Sequence, residues 1–134
     1  MSVFTLRRAA VVLATTIMFC AASSAVHAEI RDYEFQLVQN EAKKGDAIVA
    51  VRLVNKRTGK PVPDAVIAAK RIDMAPDGMA DMAGRIEQLP STEPGVYRFK
   101  ANLSMQGSWQ LSLAAKVQGE NGTVESKLVL KILP

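Results

Sequence analysis

An all-β fold, an immunoglobulin-like β-sandwich of about seven strands, is predicted for residues 29–134 by three observations. Apolar side chains recur at every second position through most of this region, the period of a half-buried strand. Glycine, proline and asparagine signals interrupt the chain at intervals typical of a small sandwich. No stretch keeps the 3.6-residue period of an amphipathic helix. With 134 residues, the chain fits one domain plus a processed segment better than two domains.

That processed segment is residues 1–28, which read as a signal peptide. Met1–Arg8 carries two positive charges, Arg7 and Arg8, and Ala9–Ala22 then runs without a charge. Val26-His27-Ala28 supplies a small-residue cleavage pattern, so cleavage is predicted after Ala28 and the mature chain begins at Glu29. The apolar part, Ala9–Ala22, is shorter than the ~20 apolar residues that span a bilayer, so no stable membrane span is expected after cleavage. A periplasmic or secreted protein follows from this reading.

The strands can be taken in order. Tyr33, Phe35 and Leu37 mark the first. Ala47–Val54 is apolar on both faces except for Arg52, as expected for a central strand; Lys44-Gly45-Asp46 and Thr58-Gly59-Lys60-Pro61 flank it. Ala65–Ile72 is the third and Arg85–Leu89 a short fourth. After the Pro94-Gly95 turn signal, Tyr97, Phe99, Ala101 and Leu103 alternate with Arg98, Lys100 and Asn102. The longest alternation puts Trp109, Leu111, Leu113, Ala115 and Val117 on one face. Asn121-Gly122 then predicts a tight hairpin, because both central positions of its usual turn need positive φ. Val124, Leu128, Leu130 and Ile132 return on the inward face, with Glu125, Lys127 and Lys131 outward.

Removal of residues 1–28 changes the ligand inventory. It leaves 106 residues with 15 Lys+Arg and 13 Asp+Glu, a net charge of +2, and takes away Cys20 and His27, the only cysteine and histidine. Disulfides, thiol nucleophiles, histidine-based triads and zinc sites built on His or Cys are thereby excluded from the domain. No polar constellation frames an active site, so the domain is not expected to be an enzyme. The basic pairs Lys43-Lys44, Lys56-Arg57 and Lys70-Arg71 sit on a nearly neutral domain and do not predict nucleic-acid binding.

One segment breaks the strand pattern. Residues 73–84 hold Met74, Met79 and Met82, three of the four methionines beyond residue 28, and Pro76 and Gly78 predict a loop between strands. The fourth, Met105, opens the corner Met105-Gln106-Gly107-Ser108-Trp109. Thioethers are neutral and polarizable and prefer Cu(I) to harder ions. If loop and corner converge, the four sulfurs form a candidate metal site, with Trp109 near enough to shield a cation through its ring face. The structural alternative is gap-filling, the common use of methionine. Asp73, Asp77 and Asp81 lack the ligand order of a calcium loop and are expected to be solvated.

Residues 61–133 resemble the YtkA-like, FixH-related domain of small exported bacterial proteins. The resemblance is carried by Pro61-Val62-Pro63-Asp64-Ala65, the segment from Met74 to Met82, Pro94-Gly95-Val96-Tyr97, and Met105-x-Gly107-x-Trp109. It implies an immunoglobulin-like sandwich outside the cytoplasmic membrane and a link to copper or other heavy-metal handling, or to respiratory oxidase assembly. The positions it points to are Met74, Met79, Met82, Met105 and Trp109. The chain departs from related metal carriers in having no histidine in the methionine segment, and in its cleavable signal. The expected function is a periplasmic accessory protein that binds or passes Cu(I) or another soft heavy metal, partnering an envelope metal-transport or oxidase-assembly complex. The alternative is a metal-free module that docks on a membrane complex of the envelope.

Overall fold

A computed structural model describes residues 29–134; the predicted signal peptide and its cleavage point lie outside the described residues. Nine strands follow in chain order: β1 (Tyr33–Leu37), β2 (Glu41–Lys43), β3 (Gly45–Asn55), β4 (Val66–Met74), β5 (Met79–Gly84), β6 (Ile86–Leu89), β7 (Val96–Leu103), β8 (Gly107–Lys116) and β9 (Val124–Leu133). They form a four-stranded sheet in the order β1-β3-β7-β6 and a five-stranded sheet in the order β2-β9-β8-β4-β5. The all-β sandwich is the architecture the alternation predicts. Among the described residues, no helix is long and apolar enough to cross a membrane.

The core lies between the sheets. Phe35, Val51, Leu53, Tyr97, Phe99, Ala101 and Leu103 come from the first sheet, and Ile72, Trp109, Leu111, Leu113, Ala115, Leu130 and Ile132 from the second. The inward faces read from the alternation of β7, β8 and β9 are the buried ones. β3 is central, paired antiparallel to β1 and β7, but its outer face is open: Ile48 and Arg52 are exposed. The apolar character of that face therefore does not reflect a second covering layer.

Three expectations need correction. The described residues form nine strands rather than about seven. β2 is three residues long, pairs parallel with β9, and offers no periodicity because Ala42 is its only apolar residue. The β8–β9 hairpin exists, but Lys116 and Val124 are joined by a longer connection than a two-residue Asn-Gly turn. Gly119 and Gly122 supply its positive φ values, 81° and 95°, and Asn121 keeps negative φ. The segment from 73 to 84 is also not a loop throughout. Asp73 and Met74 complete β4, residues 75–77 make one 3-10 turn, and Met79–Gly84 pair back onto β4. Pro76 and Gly78 confine the irregular part to that turn: proline suits its start, and Gly78 closes it at φ 75° with its N–H donating to the Ala75 carbonyl at 2.9 Å.

The chain changes sheets at Gly84-Arg85, between β5 and β6. The Asn102 amide donates to the Arg85 carbonyl at 2.9 Å. A Cβ on Gly84 would overlap the Asn102 carbonyl oxygen and crowd Ile72. The position therefore needs glycine for close backbone approach, without any special φ. Gly84→Ala is expected to destabilise the domain by about 1–3 kcal/mol, the usual cost of overpacking, in urea denaturation. A midpoint unchanged from wild type would contradict this crossing.

Candidate functional site

The candidate site begins with two side chains on the outer face of β4. Residues two apart on a strand share a face, so Arg71 and Asp73 lie side by side. The Arg71 Nε donates to Asp73 Oδ2 at 2.8 Å, and the Ala75 amide donates to Asp73 Oδ1 at 3.0 Å. Arg71 also donates through its terminal nitrogen to the Ala80 carbonyl at 2.8 Å. The pair thus holds the 3-10 turn on one side and β5 on the other. It does so across a bulge: Asp73 pairs with Ala83 but Met74 with Met79, which leaves Ala80, Asp81 and Met82 as extra residues on β5.

Asp73 is 5% exposed, so it is a buried carboxylate rather than the solvated one expected. Burial alone would raise its pKa. The Ala75 amide, the Arg71 guanidinium and the charge of Lys127 outweigh that effect and hold the carboxyl below its ordinary 3.8.

The corner before β8 meets this turn. The Ser108 amide donates to Asp77 Oδ2 at 2.9 Å. Gly107 has φ 139°, and a Cβ there would lie 2.5 Å from Asp77 Oδ2 and 2.8 Å from the Met74 methyl. Only glycine fits that approach. Behind the corner, Trp109 is fully buried and donates from its indole nitrogen to the Met105 carbonyl at 2.9 Å. The loop and corner do converge.

The four thioethers are not equivalent. Met74 is 1% exposed, whereas Met79, Met82 and Met105 are 36%, 37% and 41% exposed. Met79 is the register partner of Met74 across β4 and β5, and Met105 lies two residues before the Gly107 that Met74 touches. Withdrawing Met74 from the core would forfeit about 1.5–3 kcal/mol of burial. The other three sulfurs need no such withdrawal. Trp109 likewise belongs to the core, where it holds the corner and has no surface to offer a hydrated ion. Among the described residues, no three His, Cys, Asp or Glu side chains gather as a hard-ligand metal site. The available donor set is one of exposed thioethers, which matches a soft cation in chemistry.

The model of the YtkA-like family matches residues 27–114, well over half of the chain. The chain belongs to the YtkA-like family. The match takes in β1–β3 as well as the methionine segment and corner, and ends within β8, so it starts and stops earlier than the residues 61–133 that carry the motifs. No curated protein matches this YtkA-like chain. Among solved structures, the filamin domain of Lin-41 is similar at 18% identity and a TM-score of 0.47, over 80% of this chain and 95% of that one.

The remaining family-like motifs of this YtkA-like domain gather at the other end. The Tyr97 hydroxyl donates to the Val62 carbonyl at 2.7 Å and accepts from the Ala65 amide at 3.0 Å. Gly95, at φ 78°, packs against Pro61 where no Cβ fits. This end lies at the start of β4 and the methionines at its finish, roughly 25 Å apart at the rise of a strand.

Arg71, Asp73 and Asp77 were missed as site-forming residues. The spacing of Arg71 and Asp73 was a usable signal; the reach of Asp77 to Ser108 was not. Because the Asp73 carboxyl has a lowered pKa when folded, the folded domain binds fewer protons than the unfolded chain between the two values. Its stabilisation is therefore present above about pH 4, near the ordinary carboxyl value, and is lost as pH falls through the lowered folded value. Asp73→Asn is expected to lower stability at pH 7 by about 1–3 kcal/mol, as for a hydrogen bond to a charged group. It should also flatten the loss of stability below pH 4. Urea denaturation between pH 2.5 and 7 checks both, and an unchanged acid slope would contradict the clamp.

Proposed function

We propose that this YtkA-like domain is an exported, non-catalytic accessory protein that binds or passes Cu(I), or another soft heavy-metal ion, through its exposed methionines. It would serve metal efflux or respiratory oxidase assembly in the envelope. The observation that supports the reading is the convergence of the β4–β5 turn on the Met105–Trp109 corner, which leaves three thioethers exposed at one end of a domain without His or Cys. Met79, Met82 and Met105 are the residues that would hold the ion, and Met74 anchors the segment from below.

The chemistry follows from the donors. A thioether needs no deprotonation, so binding would vary little with pH, unlike binding to imidazole or thiolate. Neutral sulfur donors favour Cu(I) and give Cu(II) less support than imidazole would. That combination suits carriage or buffering better than redox turnover. A partially exposed site also suits handing the ion to a second protein. The same exposed side chains favour one other reading, a metal-free docking surface, because methionines make adaptable protein contacts.

Anaerobic titration of Cu(I) against a competing chelator tests the proposal. Wild type is expected to bind one equivalent. A Met79/Met82/Met105→Leu variant, which roughly conserves side-chain volume, should lose more than about a hundredfold in affinity, beyond the effect of losing an outer-shell partner. Equal binding by the two proteins would contradict carriage. Recovery of one envelope partner by both proteins, unchanged by a copper chelator, would favour docking.

A further inference from the structure

We propose that Met79, Met82 and Met105 form an oxidation site for hydroperoxide-class oxidants, while Met74 beside them is protected by the fold. Residues 29–134 have no cysteine, so no thiol competes for a two-electron oxidant. All four thioethers of the domain lie in the segment and corner that meet at Gly107, yet their exposures divide sharply: 36%, 37% and 41% against 1%.

In the reaction, a sulfur lone pair attacks one oxygen of the hydroperoxide. An S–O bond forms and the O–O bond breaks. The thioether loses two electrons and becomes a sulfoxide, and the departing oxygen takes the proton and leaves as water or an alcohol. Met79, Met82 and Met105 are each more than a third exposed, so an oxidant in solution reaches these side chains. It does not reach Met74, which is 1% exposed and whose methyl lies close to Gly107 on β8. A polar sulfoxide would also be disfavoured in a core of Leu103, Trp109 and Ile132. The β4–β5 hairpin that carries Met74 is held by the Arg71–Ala80 and Asp77–Ser108 hydrogen bonds, so oxidation of the buried Met74 requires local opening.

The consequence for binding rests on the metal reading, whereas the modification does not. A sulfoxide presents a hard oxygen and a sulfur left with one, much weaker, lone pair, so oxidation and soft-cation binding oppose each other at the same atoms. Peroxide would therefore turn the metal site off without unfolding the domain.

Timed exposure of the purified protein to hydrogen peroxide, with sulfoxides mapped by peptide mass spectrometry, tests this. Met79, Met82 and Met105 should oxidise at similar rates and Met74 roughly tenfold or more slowly, as expected for a group reached only by opening. In urea all four should react alike. Equal rates in the folded protein would overturn the proposal. A second arm contains saturating Ag(I), a redox-inert stand-in for Cu(I). Protection of the three exposed residues supports this opposition. Preserved selectivity without Ag(I) protection overturns the metal reading and leaves the oxidation site standing.

Discussion

Gly107 lets the backbone of β8 pass against the Met74 methyl and the Asp77 carboxylate at once, and the architecture of the methionine end depends on that approach. The contact joins segments thirty-one residues apart, sealed by the Ser108 amide on Asp77. With a side chain at 107, the turn and the corner would have to separate. Met74 would then lose its cover, and the exposed methionines would belong to two unrelated surfaces. Trp109 supports the same junction from within: its buried ring fills the core, and its indole N–H satisfies the Met105 carbonyl. A fully buried tryptophan with an unpartnered N–H would be costly, so packing and corner geometry are fixed together.

The two ends of the sandwich are built by different physics. At one end, Tyr97 ties the Val62–Ala65 turn with two hydrogen bonds, and its ring meets Phe35 edge-on at 6.3 Å. That end is tied by an aromatic pair and by a tyrosine hydroxyl that both donates and accepts. At the other, a short charged clamp of Arg71 and Asp73 holds a bulged edge strand whose residues from Met79 to Ala83 are exposed. The short motifs that carry the sequence resemblance fall into these two groups. One set secures the scaffold, and the other places soft side chains at the surface.

Much of this fold was legible in the alternation of apolar residues. β7, β8 and β9 are long enough for period 2 to be unmistakable, and each faces the core as the pattern dictates. β5 was not legible, because Met-Ala-Asp-Met-Ala-Gly repeats in threes and its pairing depends on Arg71 reaching the Ala80 carbonyl. The hairpin after β8 was read correctly as a hairpin but with the wrong turn, since the asparagine-glycine signal is local and the register is set by Ala115 opposite Val124. In the site, the residue types were visible and their roles were not. Composition identified four thioethers, but only packing separates the buried Met74 from the three at the surface. Asp73 reads as a surface carboxylate because its burial is a tertiary feature with no one-dimensional trace.

The proposed function requires that the exposed methionines form one site on this junction. Methyl NMR of protein labelled at the methionine methyl carbons, titrated with Ag(I), tests it most directly. A single site predicts that the Met79, Met82 and Met105 methyl signals shift together with one midpoint near one equivalent, while residues at the Tyr97 end stay still. Separate midpoints for the three methyls, or no shift at stoichiometric Ag(I), would contradict it.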